Sequence, residues 1–389
     1  MASSEQPYVG GQAVIEGVMM RAPRCMAIAV RRADGTIVVR EDAWISIWER
    51  WKFLRWPGFR GGVILAESVY NGMQALNFAA DQAVATSEND APSLPRNGET
   101  SPAASPADGP ETGKTAQQNT AEPASASSSG NNVLTIAASF ALAIGLFVGL
   151  PHLLAWGTGQ VAGTGTDVDS FGFHVTDGIF KLAIFVGYIA VISMIPEIRR
   201  VFQYHGAEHK VVNVYENGLP VTLDNARRFT TFHARCGTSF VLFVLVLSIF
   251  MFAAIFPLIP KVSDVTLLNH VAMIFIKVPL MFPLSGIAYE INRYAARHPN
   301  QWWVQLLVGP GRLMQRLTTR EPDDDQLEIA IAAMRAALRR EVALSNEAPA
   351  ASPQPSGQVA VFRDFEDVVD QLPDAAAGLP SAGLPAAAH

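Results

Sequence analysis

The sequence predicts an α-helical membrane protein of about four transmembrane helices, with a small cytosolic α+β cap. The cap would be built from the N-terminal region, the central loop and a C-terminal helix. Three observations carry this reading. The 389 residues are 49% hydrophobic and only 16% charged, with a positive mean hydropathy, whereas globular chains average about 25% charged residues. Four apolar runs, 133–155, 177–196, 238–260 and 267–288, each approach the roughly 20 residues that cross a hydrocarbon core. The segments around them carry strand, turn and amphipathic patterns.

Residues 1–85 read as a cytosolic N-terminal module. Gln12 to Met20 is a short apolar run behind Gly10-Gly11. Met26 to Arg40 reads as a hairpin, with Ala27, Ile28 and Val30 before an Ala33-Asp34-Gly35 turn and Ile37, Val38 and Val39 after it. Trp44, Trp48, Trp51 and Trp56, mixed with Arg50, Lys52 and Arg55, suit either a membrane interface or a small aromatic core. From 63 to 85, Leu65, Val69, Met73, Leu76 and Ala80 recur at helical spacing opposite Glu67, Asn71, Gln74 and Asp81. This predicts an amphipathic helix too polar to span a bilayer.

Residues 86–132 form a linker of Ser, Ala, Pro, Thr and Gly with one leucine and no aromatic. Such a segment buries too little apolar surface to offset chain entropy, and disorder is expected. The first transmembrane pair follows over 133–196. Lys181 in the second run and Lys277 in the fourth are expected to snorkel or to face protein. In the cytosolic loop 197–237, Val211 to Tyr215 reads as a strand and Asn217-Gly218-Leu219-Pro220 as a turn. Leu223 to Phe232 reads as a helix capped by Thr222 or Asp224. The second pair occupies 238–288. Cytosolic helices fill 289–345, where Asp323, Asp324 and Asp325 cap a helix with a Leu327, Ile331, Met334, Leu338 stripe. The tail 346–389 resembles the linker, apart from a short docking segment from Val359 to Leu372.

Positive charge sets the orientation. The loop from Gly157 to Thr176 has no Lys or Arg, and the one before the fourth span has Lys261 alone. The central loop carries Arg199, Arg200, Lys210, Arg227, Arg228 and Arg235. Four spans then leave both termini and the central loop in the cytoplasm of a multi-pass inner-membrane protein. Residues 1–20 lack a basic region followed by an apolar core, so no signal peptide is expected. Cys25 and Cys236, the two cysteines, both fall on the cytosolic side and should be reduced. The net charge of −6 gives no support to nucleic-acid binding. Beyond the lipid bilayer, four short spans could associate into a homo-oligomer, although no GxxxG-type face specifies one.

The chemistry concentrates in His205-Gly-Ala-Glu208-His209. On a helix this H-x-x-E-H spacing stacks two imidazoles one turn apart with a carboxylate beside them, as in the inverted zinc-protease signature. The histidines would hold a divalent metal, zinc above all, and Glu208 would act as general base. A catalytic zinc usually has three protein ligands and an open position, so a third is needed. His233 and Cys236 in the same loop are candidates, as are Glu16 and Glu290 from elsewhere. Three of the eight histidines and one of the two cysteines fall within 32 residues, which favours a metal over a merely polar helix end. Cys236, before the third span and beside Arg235, also has the setting of a nucleophile paired with His233. Glu16 sits in an apolar, glycine-flanked run and needs a partner if buried, which a metal or Arg21 would provide. The glycines lack the Lys-Ser/Thr ending of a phosphate loop.

Several blocks together resemble the YqhQ-like family of bacterial membrane proteins, a family of unknown function. They are GGQAVIEGVMMR (10–21), PGFRG (57–61), YHGAEHK (204–210), RCGTSF (235–240) and LMQRLTTREPDDDQLEIA (313–330). The resemblance covers roughly 8–85 and 133–340. It implies an integral membrane protein and a metal-dependent enzyme without an established reaction. Carried over by position, the residues it implicates are Glu16, Arg21, His205, Glu208, His209, His233 and Cys236. Ala234 stands where the family commonly has proline.

The function expected is metal-assisted hydrolysis at the cytosolic membrane surface, with Arg21 or Arg235 steadying an anionic group of a peptide or lipid-linked substrate. The competing reading is a non-catalytic membrane factor that uses the same polar cluster for assembly or partner binding. A transporter is disfavoured by the scarcity of charges within the spans and the lack of an inverted repeat.

Overall fold

The computed structural model describes residues 7–47, 51–56, 60–89, 129–163, 170–233, 236–298, 301–346 and 357–374. Five antiparallel strands form one sheet in the order β1 (Gly10–Val14), β2 (Gly17–Arg21), β3 (Cys25–Arg31), β4 (Ile37–Ala43), β5 (Gln358–Phe362). The Asp34-Gly35 hairpin forms where the sequence places it: Gly35 takes φ 88°, and Asp34 accepts from the Thr36 amide at 2.9 Å. The apolar run around Glu16 folds as a second hairpin, with Val14 paired to Gly17. The segment expected from Val359 to Leu372 supplies β5, which pairs with β4, and a short helix, Phe365–Gln371.

Strand alternation gives the sheet two apolar faces. Val14, Met19, Met26, Ile28, Val30 and Val38 face Ala75, Phe78 and Ala79 of the first helix, α1 (Arg60–Asn89). Val18, Met20, Ala27, Ala29, Ile37 and Val39 face the other way. This second face packs against two helices that appear much later in the chain, α5 and α10, described below.

Four helices among the described residues are long and apolar enough to cross a membrane. The first apolar stretch, Ala137–Ala162, is α2 (Ser129–Ile144) joined to α3 (Leu150–Ala162) by a π-helical turn at Gly145–Gly149. The others lie in α4 (Phe171–Ile192), α7 (Gly237–Ile255) and α8 (Thr266–Arg297). Ser170 caps α4 by accepting from the Phe173 amide. Of the linker expected over 86–132, the two ends are helical, and 90–128 lies outside the described residues. Trp48 and Arg50 lie outside them as well.

Between α4 and α7 runs α5 (Pro196–Glu216), then α6 (Leu223–Arg228). Val211 to Tyr215, expected as a strand, is the last part of α5. The reason is burial: Val211, Val212, Val214 and Tyr215 are all enclosed in the core beside the sheet, and tertiary packing outweighs the modest β preference of valine. Of the two caps expected for α6, Thr222 is used: its hydroxyl accepts from the Asn225 amide. The helix stops at Arg228 rather than reaching Phe232.

After α8 come α9 (Trp302–Thr318), packed on α7, and α10 (Asp324–Asn346). Instead of showing one stripe, α10 is enclosed on nearly every side: Ile329 through Met334 and Ala336 through Leu338 are buried almost without exception. It runs between α5 and strands β2 to β4. Its small alanines permit that close approach. At its end Glu341 accepts from the Arg24 side chain at 3.0 Å and from the Arg24 amide at 2.9 Å.

The closest backbone contact is made by α5. A Cβ on Gly206 would run into the Arg320 carbonyl oxygen, and the Arg320 amide donates to the Phe202 carbonyl at 2.9 Å. Gly206→Ala should therefore lower thermal stability by about 1–3 kcal/mol through forced backbone displacement. Gly157→Ala, with open space around it, should be neutral or slightly stabilising. Melting of the purified variants checks this; equal midpoints for both would refute the contact.

Candidate metal centre

Helix α5 presents His205 and His209 one turn apart, with ring centroids 4.4 Å from each other. Cys236, the residue immediately before α7, completes the group. One ligand atom from each of His205, His209 and Cys236 lies within 4.8 Å of the other two. The Cys236 Sγ is 3.3 Å from His205 Nε2 and 3.1 Å from the Thr238 hydroxyl.

Both imidazoles are oriented from behind. His205 Nδ1 is 2.8 Å from the Thr318 carbonyl oxygen, and His209 Nδ1 is 2.6 Å from the Thr231 carbonyl oxygen. Carbonyls only accept, so each Nδ1 carries a proton, and in the neutral ring Nε2 is the atom that keeps a lone pair. Such backbone support is how metal-ligating histidines are commonly fixed in tautomer and orientation. Burial holds the His209 imidazole below its ordinary pKa, so it stays neutral further into the acid range. The donor set, two imidazoles and a thiol, suits zinc.

Glu208 lies beside this group, with Oε2 3.5 Å from His209 Nε2. Its carboxyl is enclosed, and burial pushes its pKa up, partly offset by the neighbouring His205 and His233 and by a hydrogen bond from the Gly11 amide. A Cβ at Gly11 would lie 2.5 Å from Glu208 Cγ, so any larger residue would push the carboxyl aside. The first strand thus lays its bare backbone on the carboxylate.

His233 is held nearby but turned elsewhere. Its ring is 5.5 Å from that of His209, and its Nε2 is 3.3 Å from the Glu216 carboxylate. Its backbone is clamped by Gln315, which accepts from the His233 amide at 3.1 Å and donates to the His233 carbonyl at 2.8 Å. Of the two loop candidates for third ligand, the geometry groups Cys236 with the two imidazoles. Arg235 lies outside the described residues.

Glu16 and Arg21 are placed apart from the cluster. Glu16, at φ 50° in the β1–β2 turn, pairs through both carboxylate oxygens with Arg200 at 2.6 and 2.5 Å and accepts from the Tyr204 hydroxyl at 3.1 Å. It therefore fastens the sheet to the earlier turns of α5. Arg21 is on the face of the sheet away from α5. Its guanidinium lies 3.5 Å over the Trp44 ring and 3.4 Å from Glu67 of α1. Glu290 pairs with Arg60.

Gln315, Thr318 and Thr231 were not singled out from the sequence. Thr318 and Thr231 contribute carbonyl oxygens, which every residue has, so side-chain identity gives no signal. Gln315 and Thr318 do fall within the LMQRLTTREPDDDQLEIA block.

A family profile described as "Protein of unknown function (DUF1385)" matches residues 56–340. The chain is 32% identical over 354 residues to "Uncharacterized protein YqhQ" of Bacillus subtilis (strain 168), covering 88% of this chain and 95% of that protein. No solved structure matches.

The raised Glu208 pKa has a sign that can be checked on chelator-treated protein. Between the unfolded and the raised folded value, the folded state holds a proton that the unfolded state has lost, so stability falls as pH rises through that window. Glu208→Gln should flatten that part of the stability–pH curve measured by thermal melting. A curve unchanged by the substitution would refute the shift.

Proposed function

We propose a function for this chain, which belongs to the DUF1385 family of proteins of unknown function, from the chemistry of its histidine–cysteine cluster. The chain is a multi-pass protein of the cell (inner) membrane, spanned by its four apolar helices, with both termini and the sheet-bearing cap cytoplasmic. It is a metal-dependent hydrolase acting at the cytosolic membrane surface on a peptide or lipid-linked substrate. The observation that supports this best is the convergence of His205, His209 and Cys236, with both Nδ1 atoms committed to backbone carbonyls.

In this reading His205, His209 and Cys236 would hold a divalent metal, zinc. The chemistry such an ion would supply, when bound, is that of a Lewis acid. Glu208 takes the proton of the attacking water and passes it to the leaving group. Its burial, together with the Gly11 amide, keeps the carboxylate oriented while it does so. Arg235, one residue before the cysteine, steadies an anionic substrate group. Glu16 and Arg200 position α5 rather than bind the metal, and Arg21 secures the sheet against α1.

One observation favours a second reading. Glu208, His209 and Cys236 are only 5%, 1% and 5% exposed, which suits a structural metal site in a membrane assembly or partner-binding factor. The two readings diverge at Glu208. In the hydrolase, Glu208→Gln should retain zinc and lower the rate by about 10²–10⁴-fold, the usual contribution of a general base. The assay is cleavage of membrane-surface peptides and lipid-linked phosphodiesters by zinc-loaded protein in nanodiscs. A Glu208→Gln protein that fully supports cellular function would favour the factor and remove the hydrolase.

A further inference from the structure

A second titratable cluster lies between the apolar helices, in the halves far from α5. It joins His152 of α3, Asp177 and Lys181 of α4, and His270 and Lys277 of α8. Lys277 Nζ is 2.6 Å from Asp177 Oδ2, and Lys181 Nζ is 3.6 Å from the same oxygen. Lys277 Nζ also lies 3.5 Å from His152 Nδ1, while His152 Nε2 is 2.6 Å from His270 Nδ1. The second carboxylate oxygen, Asp177 Oδ1, is buried without a hydrogen-bond partner among the described residues.

The surroundings are aromatic. Lys277 Nζ sits 5.6 Å from the Phe256 ring and 6.0 Å from those of Phe173 and Phe252, and His174 packs against Phe256. His152, His174, Asp177 and Lys277 are at most 2% exposed, whereas His270 is only half-buried. The groups facing the cluster are therefore His152 from α3, His174, Asp177 and Lys181 from α4, aromatic rings from α7 and the turn after it, and His270 and Lys277 from α8.

We propose that Lys277, His152 and His270 form a proton-exchange chain, and that the helix bundle is a proton-binding site separate from the histidine–cysteine cluster. Charge balance and connectivity both support this role. Two ammonium groups face one carboxylate, so with both imidazoles neutral the cluster holds one cation in excess. Uncompensated charge in so apolar a setting is costly, and such groups inside apolar helices commonly mark proton or ion pathways. Side chains this enclosed admit nothing larger than a proton or water unless the helices part.

The hydrogen-bonded series gives the route. Lys277 Nζ gives a proton to His152 Nδ1, and His152 passes its Nε2 proton to His270 Nδ1. His270 then releases its own Nε2 proton to solvent. The result is a neutral Lys277, two neutral imidazoles with exchanged tautomers, a single ammonium at Lys181 for the Asp177 carboxylate, and one proton outside. Reversal reloads the site.

The test counts protons released by the full chain in lipid nanodiscs after a jump from acid to alkaline pH, read with a soluble indicator dye. Lys277→Met leaves one ammonium for one carboxylate, so it should fold; melting confirms this, and Lys277→Gln is the second variant. The count should fall by one proton per chain. Taken as that difference, the Lys277 proton should emerge roughly 10²-fold more slowly in a His270→Gln background, as on loss of a positioned proton-transfer group. Equal counts with and without Lys277 would make the cluster a static ion pair. A release rate unchanged by His270→Gln would overturn the route. Either result rejects the proposal, and neither bears on metal binding by His205 and His209.

Discussion

The site depends on how closely α5 is held between β1 on one side and the segment that follows α9 on the other. Two glycines permit it. Gly206 lets the Arg320 carbonyl touch the helix, and Gly11 lets the first strand rest on Glu208. With those contacts made, the Thr318 and Thr231 carbonyls reach His205 and His209, and the helix register determines where both Nε2 atoms point. The Glu16–Arg200 pair and the Tyr204 hydroxyl fix the same helix further toward its start. Thus long-range contacts, from the first hairpin on one side and from the segment after α9 on the other, aim the side chains of α5.

Much of this was legible in the sequence. The Asp34-Gly35 turn and the flanking apolar runs specify a hairpin locally. The four apolar helices are visible from composition alone, because runs of that length with so few charges have few other uses. The H-x-x-E-H spacing already implied two imidazoles on one helical face. Other parts could not be read locally. Val211 to Tyr215 look like a strand because valine prefers one, yet they are helical because their surroundings enclose them. The third ligand could be narrowed to His233, Cys236, Glu16 or Glu290 and no further, since the choice depends on how Gln315 clamps the loop and on which partners Arg200 and Arg60 take. Nor could the sequence reveal that α10, with its plain amphipathic stripe, is the enclosed centre of the sheet-bearing unit.

The polar groups of the apolar helices show the same limit from another side. Lys181 and Lys277 read singly as residues that snorkel or face protein. Together with Asp177, which the sequence did not flag, they form one buried cluster. Charges within the apolar helices read as few, yet these three converge. Among the described residues, two separate clusters of ionisable groups thus stand out, one beside the sheet and one between the apolar helices.

The central claim is that three side chains brought together by α5 and the start of α7 hold a metal. Elemental mass spectrometry of detergent-purified protein, wild type beside His209→Ala, tests it most directly. The account predicts one divalent ion for each wild-type chain, zinc by donor preference, and its loss in the variant while the apolar helices remain folded. Absence of metal from both folded proteins, after reloading with zinc, would contradict it.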